Sequence, residues 1–305
     1  MKWTKIGKIY SVTKKDDFLV THASNPLAIK VNDSIYRIFF SGRNRDNKSS
    51  IGWVDYDFDS FDIKDECNGS VLNFSEQSNS YFSHGISIGN MYEINKKKSI
   101  LFMGWQIRGN DHWRGDIGKI SLSNNLNNLK IESEKPFLSV SDEDPISLSY
   151  PWVMHEDNLY KMWYGSTIDW SSENGEMIHV IKYATSKNGV DWTMHGLAVP
   201  YELNMAQAFS RPTVYKNNGT YHMWYSCRSG SGEKYRIGYS KSSDGINWRR
   251  GNPGIDVSRS KFSWDSEMIC YPFVFEHKDQ LIMLYNGNNH GKNGFGMAVV
   301  NKENL

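Results

Sequence analysis

Large apolar residues alternate from Tyr150 to Met154, a polar turn follows at 155–158, and a second, aromatic-rich run extends from Leu159 to Tyr164. Period-two alternation bounded by turn residues predicts two strands joined as a hairpin. The second run, Tyr160-Lys-Met-Trp-Tyr-Gly165, returns as Tyr221-His-Met-Trp-Tyr-Ser226, as Leu281-Ile-Met-Leu-Tyr-Asn286 and as Tyr36-Arg-Ile-Phe-Phe-Ser41, and more weakly as Ile100-Leu-Phe-Met-Gly104. A proline stands at a near-constant distance before the last aromatic of four copies, at Pro26, Pro151, Pro212 and Pro272, and Asn90 takes that place in the remaining one. First strands are therefore predicted to begin near residues 26, 90, 151, 212 and 272.

A third element follows the aromatic run. Ile237-Gly-Tyr-Ser-Lys-Ser-Ser-Asp-Gly-Ile-Asn-Trp248 parallels Ile181-Lys-Tyr-Ala-Thr-Ser-Lys-Asn-Gly-Val-Asp-Trp192. Each reads as a strand, a tight turn in which Asp-Gly or Asn-Gly supplies positive φ, and a Trp that opens an outer strand. No long amphipathic helix interrupts the pattern. Five units of about 61 residues account for all 305, a period too long for helical solenoids and suited to four-stranded propeller blades. The expectation is a single all-β domain over 1–305, a five-bladed β-propeller with four-stranded antiparallel blades. The segments leading into the innermost strands and the loops after the second strands should meet on one rim, which makes that rim the candidate site.

Composition narrows the partners. The 11 Trp, 17 Tyr and 14 Phe suit packed sheets and, in a groove, the apolar faces of sugar rings. A formal net charge of +1 with no basic block excludes nucleic acid or an anionic membrane as the main partner. Cys67, Cys227 and Cys270 lack metal-ligand spacing and read as free thiols of a reducing compartment. The first residues hold no apolar leader, and no apolar run reaches bilayer length, so no membrane span and a cytoplasmic protein are expected. Phosphate-loop, zinc-type and Gly-x-Ser-x-Gly motifs are absent, and Asp244 to Trp248 lacks the ligand alternation of a calcium loop. Neither a metal nor a cofactor is expected.

Units of this length, Tyr-x-Met-Trp-Tyr second strands and Ser-x-Asp-Gly-x-x-Trp hairpins together resemble the five-bladed propeller glycosidases, a group that includes arabinanases and xylosidases, invertase-like fructosidases and mannoside phosphorylases. The resemblance covers essentially the whole chain. It implies a carbohydrate-active enzyme working at a glycosidic bond in an axial pocket, by hydrolysis, phosphorolysis or glycosyl transfer. In that group an Asp of the first blade is base or nucleophile, an Asp of a middle blade orients the sugar, and a Glu of a later blade is the general acid. The resemblance assigns the middle Asp to Asp144 and the acid to Glu267, in the fifth blade rather than the usual fourth, with Asp265 as its alternative. This chain departs from the pattern at Ser24-Asn25-Pro26, where relatives carry Asp-Pro, and at Ser210-Arg211-Pro212, which stands in place of an acid. An amide cannot act as base, so phosphorolysis or transfer is expected over hydrolysis. A non-catalytic sugar-binding propeller that has lost the first-blade Asp is the alternative.

The remaining candidates are binding residues. Arg211, preceding a proline and so expected to be extended, suits with His84 an anionic group such as a ligand phosphate or carboxylate. Asn25 and His22 lead into the first inner strand, and Arg43 and Arg228 at the rim either extend an anion pocket or are solvated. Trp170 is the stacking platform, whereas Tyr150 and Tyr271 read as packing between blades. The expected partner is a carbohydrate, optionally bearing phosphate or carboxylate.

Overall fold

The computed structural model describes residues 2–107, 109, 112–230, 232–251 and 257–305. Among them the chain is all-β apart from a one-turn helix at Asn288–Gly291 and a 3-10 turn at Lys302–Asn304. No helix among the described residues is long and apolar enough to cross a membrane.

After an initial strand, Thr4–Tyr10 (β1), the strands pair antiparallel in sets of four. The first set is Thr21–Lys30 (β2), Ile35–Arg43 (β3), Ser49–Asp57 (β4) and Asp62–Glu66 (β5). The second is Gly85–Ile94 (β6), Lys97–Ile107 (β7), Trp113–Leu122 (β8) and Leu129–Ile131 (β9). The third is Ser147–Glu156 (β10), Leu159–Asp169 (β11), Ile178–Ser186 (β12) and Thr193–Leu197 (β13). The fourth is Ala208–Asn217 (β14), Thr220–Arg228 (β15), Arg236–Ser242 (β16) and Arg249–Arg250 (β17). Cys270–His277 (β18), Gln280–Asn286 (β19) and Phe295–Asn301 (β20) form the last, whose outer strand is β1, with Thr4 opposite Val299. Lone parallel contacts, Ser49 to Gly85 and His179 to Ala208, join the first set to the second and the third to the fourth.

The aromatic runs are second strands, and they lack clean alternation because both their faces are covered. Met162, Trp163 and Tyr164 are all fully buried, as are Met223 and Trp224 in the next set. Trp152 packs on Phe273 with ring centroids 5.6 Å apart, so the apolar core passes directly between inner strands of different sets.

The prolines do not begin the strands. Each lies within its inner strand at a bulge, where the missing N–H costs no ladder bond. Register skips two residues between Ser24 and Leu27, Ile88 and Met91, Ser149 and Trp152, Ser210 and Thr213, and Cys270 and Phe273. Asn25, Tyr150, Arg211 and Tyr271 occupy these bulges with φ of 54°, 35°, 50° and 55°. The extended backbone expected for Arg211 is thus replaced by a left-handed one, because the bulge rather than the proline dictates its conformation. In the second set the same place is held by Gly89, whose Cβ would come within 2.8 Å of the Leu101 carbonyl oxygen.

Backbone N–H groups at three of these bulges are caught by the neighbouring set. Asn25 N–H donates to Asn286 Oδ1 at 2.9 Å, Ile88 N–H to Ser41 Oγ at 3.1 Å, and Tyr271 N–H to Ser226 Oγ at 2.7 Å. Arg211 ties the inner strands together. Its guanidinium donates to the carbonyls of Tyr271 at 2.8 Å, Pro272 at 3.3 Å, Pro26 at 2.7 Å and Ile88 at 3.4 Å, from three other sets. Burial pulls its pKa down to about 9. With 2% of its surface exposed and its donors committed to the backbone, Arg211 is structural, which corrects its expected role as a ligand-binding residue.

The Asp-Gly hairpin is built as its residues predict. Asp244 Oδ1 accepts from the N–H groups of Ile246 and Asn247, both at 2.8 Å, and Gly245 has φ of 76°. Trp163 and Trp248 both donate to the Gly245 carbonyl at 2.9 Å. Asp244→Ala should lower stability by about 1–2 kcal/mol, seen as an earlier urea midpoint with unchanged slope.

Candidate functional site

A cavity of about 600 Å³ opens at the end of the molecule where second strands turn into third strands. Every such connection sends a side chain to it: Arg43 from the first set, His112 from the second, Glu176 from the third, Arg228 from the fourth and His290 from the fifth. Arg108, in the second connection, lies outside the described residues. The inner strands supply the floor, including Ser149, Tyr150, Ser210 and Tyr271.

One wall is polar and charged. Glu176, 6% exposed, is the only carboxylate among the described lining residues. Its Oε1 accepts from Arg228 Nη2 at 3.0 Å and from the Met177 N–H at 2.9 Å. The Arg228 guanidinium stands 4.8 Å over the Tyr235 ring, and its buried Nε has no hydrogen-bond partner among the described residues. Arg43 donates to Asn47 Oδ1 at 2.5 Å and forms no ion pair among the described residues.

The imidazoles are held neutral. Burial, with Arg43 and Arg228 nearby, lowers the pKa of His290 to about 4. His179 is fully enclosed, sharing hydrogen bonds with Ser149 Oγ at 2.6 Å and Thr167 Oγ1 at 2.7 Å, and burial followed by Arg228 lowers it to about 3. Gly165 leaves room for this arrangement, since its Cβ would stand 2.1 Å from Ser149 Oγ.

Aromatic rings complete the lining. The Trp170 ring stacks on His112 at 4.8 Å and 18°, and Trp113 meets Trp170 edge-on at 4.9 Å. The Trp113 and Trp170 rings suit the C–H face of a sugar ring.

Of the residues singled out in the sequence, Arg43, Arg228 and Trp170 line the cavity. Asn25 is 2% exposed and placed at its bulge by Asn286. His22 and His84 are half-buried and outside the lining, His84 packing against cavity-lining Trp105 with rings 5.8 Å apart. Asp144 and Glu267 are not brought together at the cavity. Asp144 is 1% exposed, ion-paired to Lys182 at 2.8 Å, and accepts from the Tyr164 hydroxyl at 2.8 Å. Asp265 repeats this arrangement with Lys5 and the Tyr285 hydroxyl, so both aspartates are parts of the scaffold. Glu267 is exposed, held by its backbone N–H to Asn288 Oδ1 at 2.8 Å, while its neighbours Met268 and Ile269 turn inward.

Glu176, His179 and Tyr235 were not singled out from the sequence. Glu176 sits in the polar stretch Glu173-Asn-Gly-Glu176, which reads as a solvated loop, and the available signal was only its place after a second strand.

No protein-family model matches the chain. It is 35% identical over 310 residues to two uncharacterized proteins from strains of Mycobacterium tuberculosis, covering 98% of this chain and 99% of each of theirs. Among solved structures it resembles a glycoside hydrolase with a TM-score of 0.77 at 15% identity, over 97% of this chain and 92% of that one. It also resembles the endo-arabinase of Bacteroides thetaiotaomicron with a TM-score of 0.64 at 12% identity, over 94% of this chain and 97% of that one. At these identities the likeness to solved structures is one of fold.

Proposed function

The chain belongs to the family of these Mycobacterium tuberculosis proteins and has the fold of the propeller glycoside hydrolases, and from that premise we propose a carbohydrate-active enzyme that works at a glycosidic bond in the cavity. In this reading the five strand sets are the blades of one five-bladed propeller domain. The substrate is a carbohydrate bearing phosphate or carboxylate. A cytoplasmic setting agrees with the three free, buried thiols.

The observation that carries the proposal is Glu176, a buried carboxylate paired with Arg228 in a cavity that Trp113 and Trp170 also line. Hydrolysis by the two-carboxylate route needs a partner roughly 5–9.5 Å away, and the described lining offers only one carboxylate. Phosphorolysis or transfer to an acceptor hydroxyl fits better, because phosphate or the acceptor brings the nucleophilic oxygen. The bond to the departing oxygen breaks as that to the incoming oxygen forms. The proton lost by the incoming oxygen passes through Glu176 to the departing one. Trp170 and Trp113 hold the ring while this happens.

The test is turnover of a panel of glycosides with and without inorganic phosphate or acceptor sugar. Wild type should turn over at least one donor only when a co-substrate is present, and Glu176→Gln should lower that rate by about 10²–10⁴-fold with the fold intact. The alternative, sugar binding without chemistry, draws on the same carboxylate being spent on Arg228. Binding without turnover, equal in wild type and Glu176→Gln, would establish it.

A further inference from the structure

Resting on the carbohydrate reading, we propose that the cavity is built for a sugar monophosphate, with its phosphoryl group held by Arg43, Arg228 and His290 and its ring against Trp113 and Trp170. The three polar groups come from three separate connections and surround one side of the cavity. Tyr235 fixes two of them, since Arg228 lies 4.8 Å over its ring and the His290 ring lies 6.1 Å from it edge-on.

Two features call for an anion there. Arg43 is a cavity guanidinium whose hydrogen-bonding partner is a neutral amide, and it forms no ion pair among the described residues. Arg228 spends Nη2 on Glu176 but leaves its buried Nε without an acceptor among the described residues, an unmet donor that an incoming oxygen would satisfy. Among the arginines and carboxylates of the described lining, Arg43 and Arg228 outnumber the single Glu176.

The geometry favours phosphate over carboxylate. Two coplanar carboxylate oxygens are satisfied by one guanidinium fork, whereas three terminal phosphoryl oxygens take donors arriving from different sides. The Trp113 and Trp170 rings offer the apolar surface on which the sugar part of such a ligand would lie. The same phosphoryl chemistry is also carried by free phosphate, and the two sources differ in whether the sugar adds affinity.

Calorimetric titration of the full chain decides this, using the monophosphates of glucose, mannose, galactose and arabinose, the unsubstituted sugars, glucuronate and inorganic phosphate. At least one sugar monophosphate should bind about 100-fold more tightly than its unsubstituted parent. Arg43→Gln should bring that ratio close to one, with Arg43→Lys retaining part of it and thermal melting confirming that both variants fold. Equal affinity for phosphorylated and plain sugars, a ratio unmoved by Arg43→Gln, or tighter binding of glucuronate would overturn the proposal. Inorganic phosphate binding as tightly as every sugar phosphate would also overturn it and assign the clamp to free phosphate. Loss of turnover in Glu176→Gln without any phosphate preference removes the clamp alone. Failure of any sugar or sugar phosphate to bind removes the carbohydrate reading with it.

Discussion

Replacing Arg211 with methionine is expected to bring the protein close to unfolding. Methionine fills much of the volume but donates nothing, and four carbonyls on the inner strands would lose a charged donor in a place water does not reach. At about 1–3 kcal/mol for each stranded buried acceptor, the loss is comparable to the whole stability of an ordinary domain. Lysine should rescue only part of it, because a point ammonium cannot span acceptors that a planar fork reaches on several sides. Arg211→Gly separates two effects at this site, since it relaxes the left-handed backbone of φ 50° while still removing the donors. It too should be strongly destabilised. Urea unfolding is the measurement, and a change below about 1 kcal/mol for Arg211→Met would show that the donors contribute little.

The second large effect is loss of stability in mild acid. His22, His179 and His290 are held near 3, 3 and 4 by burial first, with Arg43 acting on His22, Arg228 on His179, and both arginines on His290. Lys292 adds to the positive surroundings of His22 and Lys234 to those of His290. In the unfolded chain each imidazole protonates near 6.5. As pH falls below that value the unfolded state binds protons that the folded state refuses, so stability is full above about 6.5 and declines toward the folded pKa values. Each histidine contributes a slope of about 1.4 kcal/mol per pH unit, and three together give about 4. The carboxylates held low, such as Glu156 at about 2, respond only at more acidic pH, which leaves the window from 6.5 to 5 to the imidazoles. Urea midpoints across that window should fall steeply, and His179→Gln should reduce the slope by about 1.4 kcal/mol per pH unit. A flat profile between pH 7 and 5.5 would contradict the neutral imidazoles.

The all-β architecture was legible because each unit repeats its own grammar: an aromatic second strand, a proline at fixed distance, and an Asp-Gly hairpin capped by Trp. The positions of the prolines were legible, but their meaning was not. A proline before a strand and a proline inside a bulge leave the same trace in sequence, and the register that distinguishes them comes from the partner strand. That ambiguity misplaced Arg211, which sequence alone cannot separate from a ligand-binding arginine. For the site, connections after second strands pointed to Arg43, Arg228 and Trp170, because loop position follows from topology. Glu267 lies outside the cavity lining because it stands in the loop before β18, where Met268 and Ile269 take the buried places and Glu267 stays exposed, which its sequence context does not reveal. Glu176 stayed hidden because nothing local distinguishes a loop glutamate in water from one folded against an arginine.

Because β1 pairs with β20, with Thr4 opposite Val299, the last set stays without its outer strand until two segments far apart in sequence meet. The same meeting seats Trp3 on Trp224 and Tyr10 between Phe40 and Phe295, and without β1 the edge of β20 is open. Closure is therefore a contact between strands distant in sequence, the kind that slows folding most. A nascent chain halted before residue 295 should be prone to capture the wrong edge, and a protein rearranged to place β1 directly after β20 in sequence should mature faster.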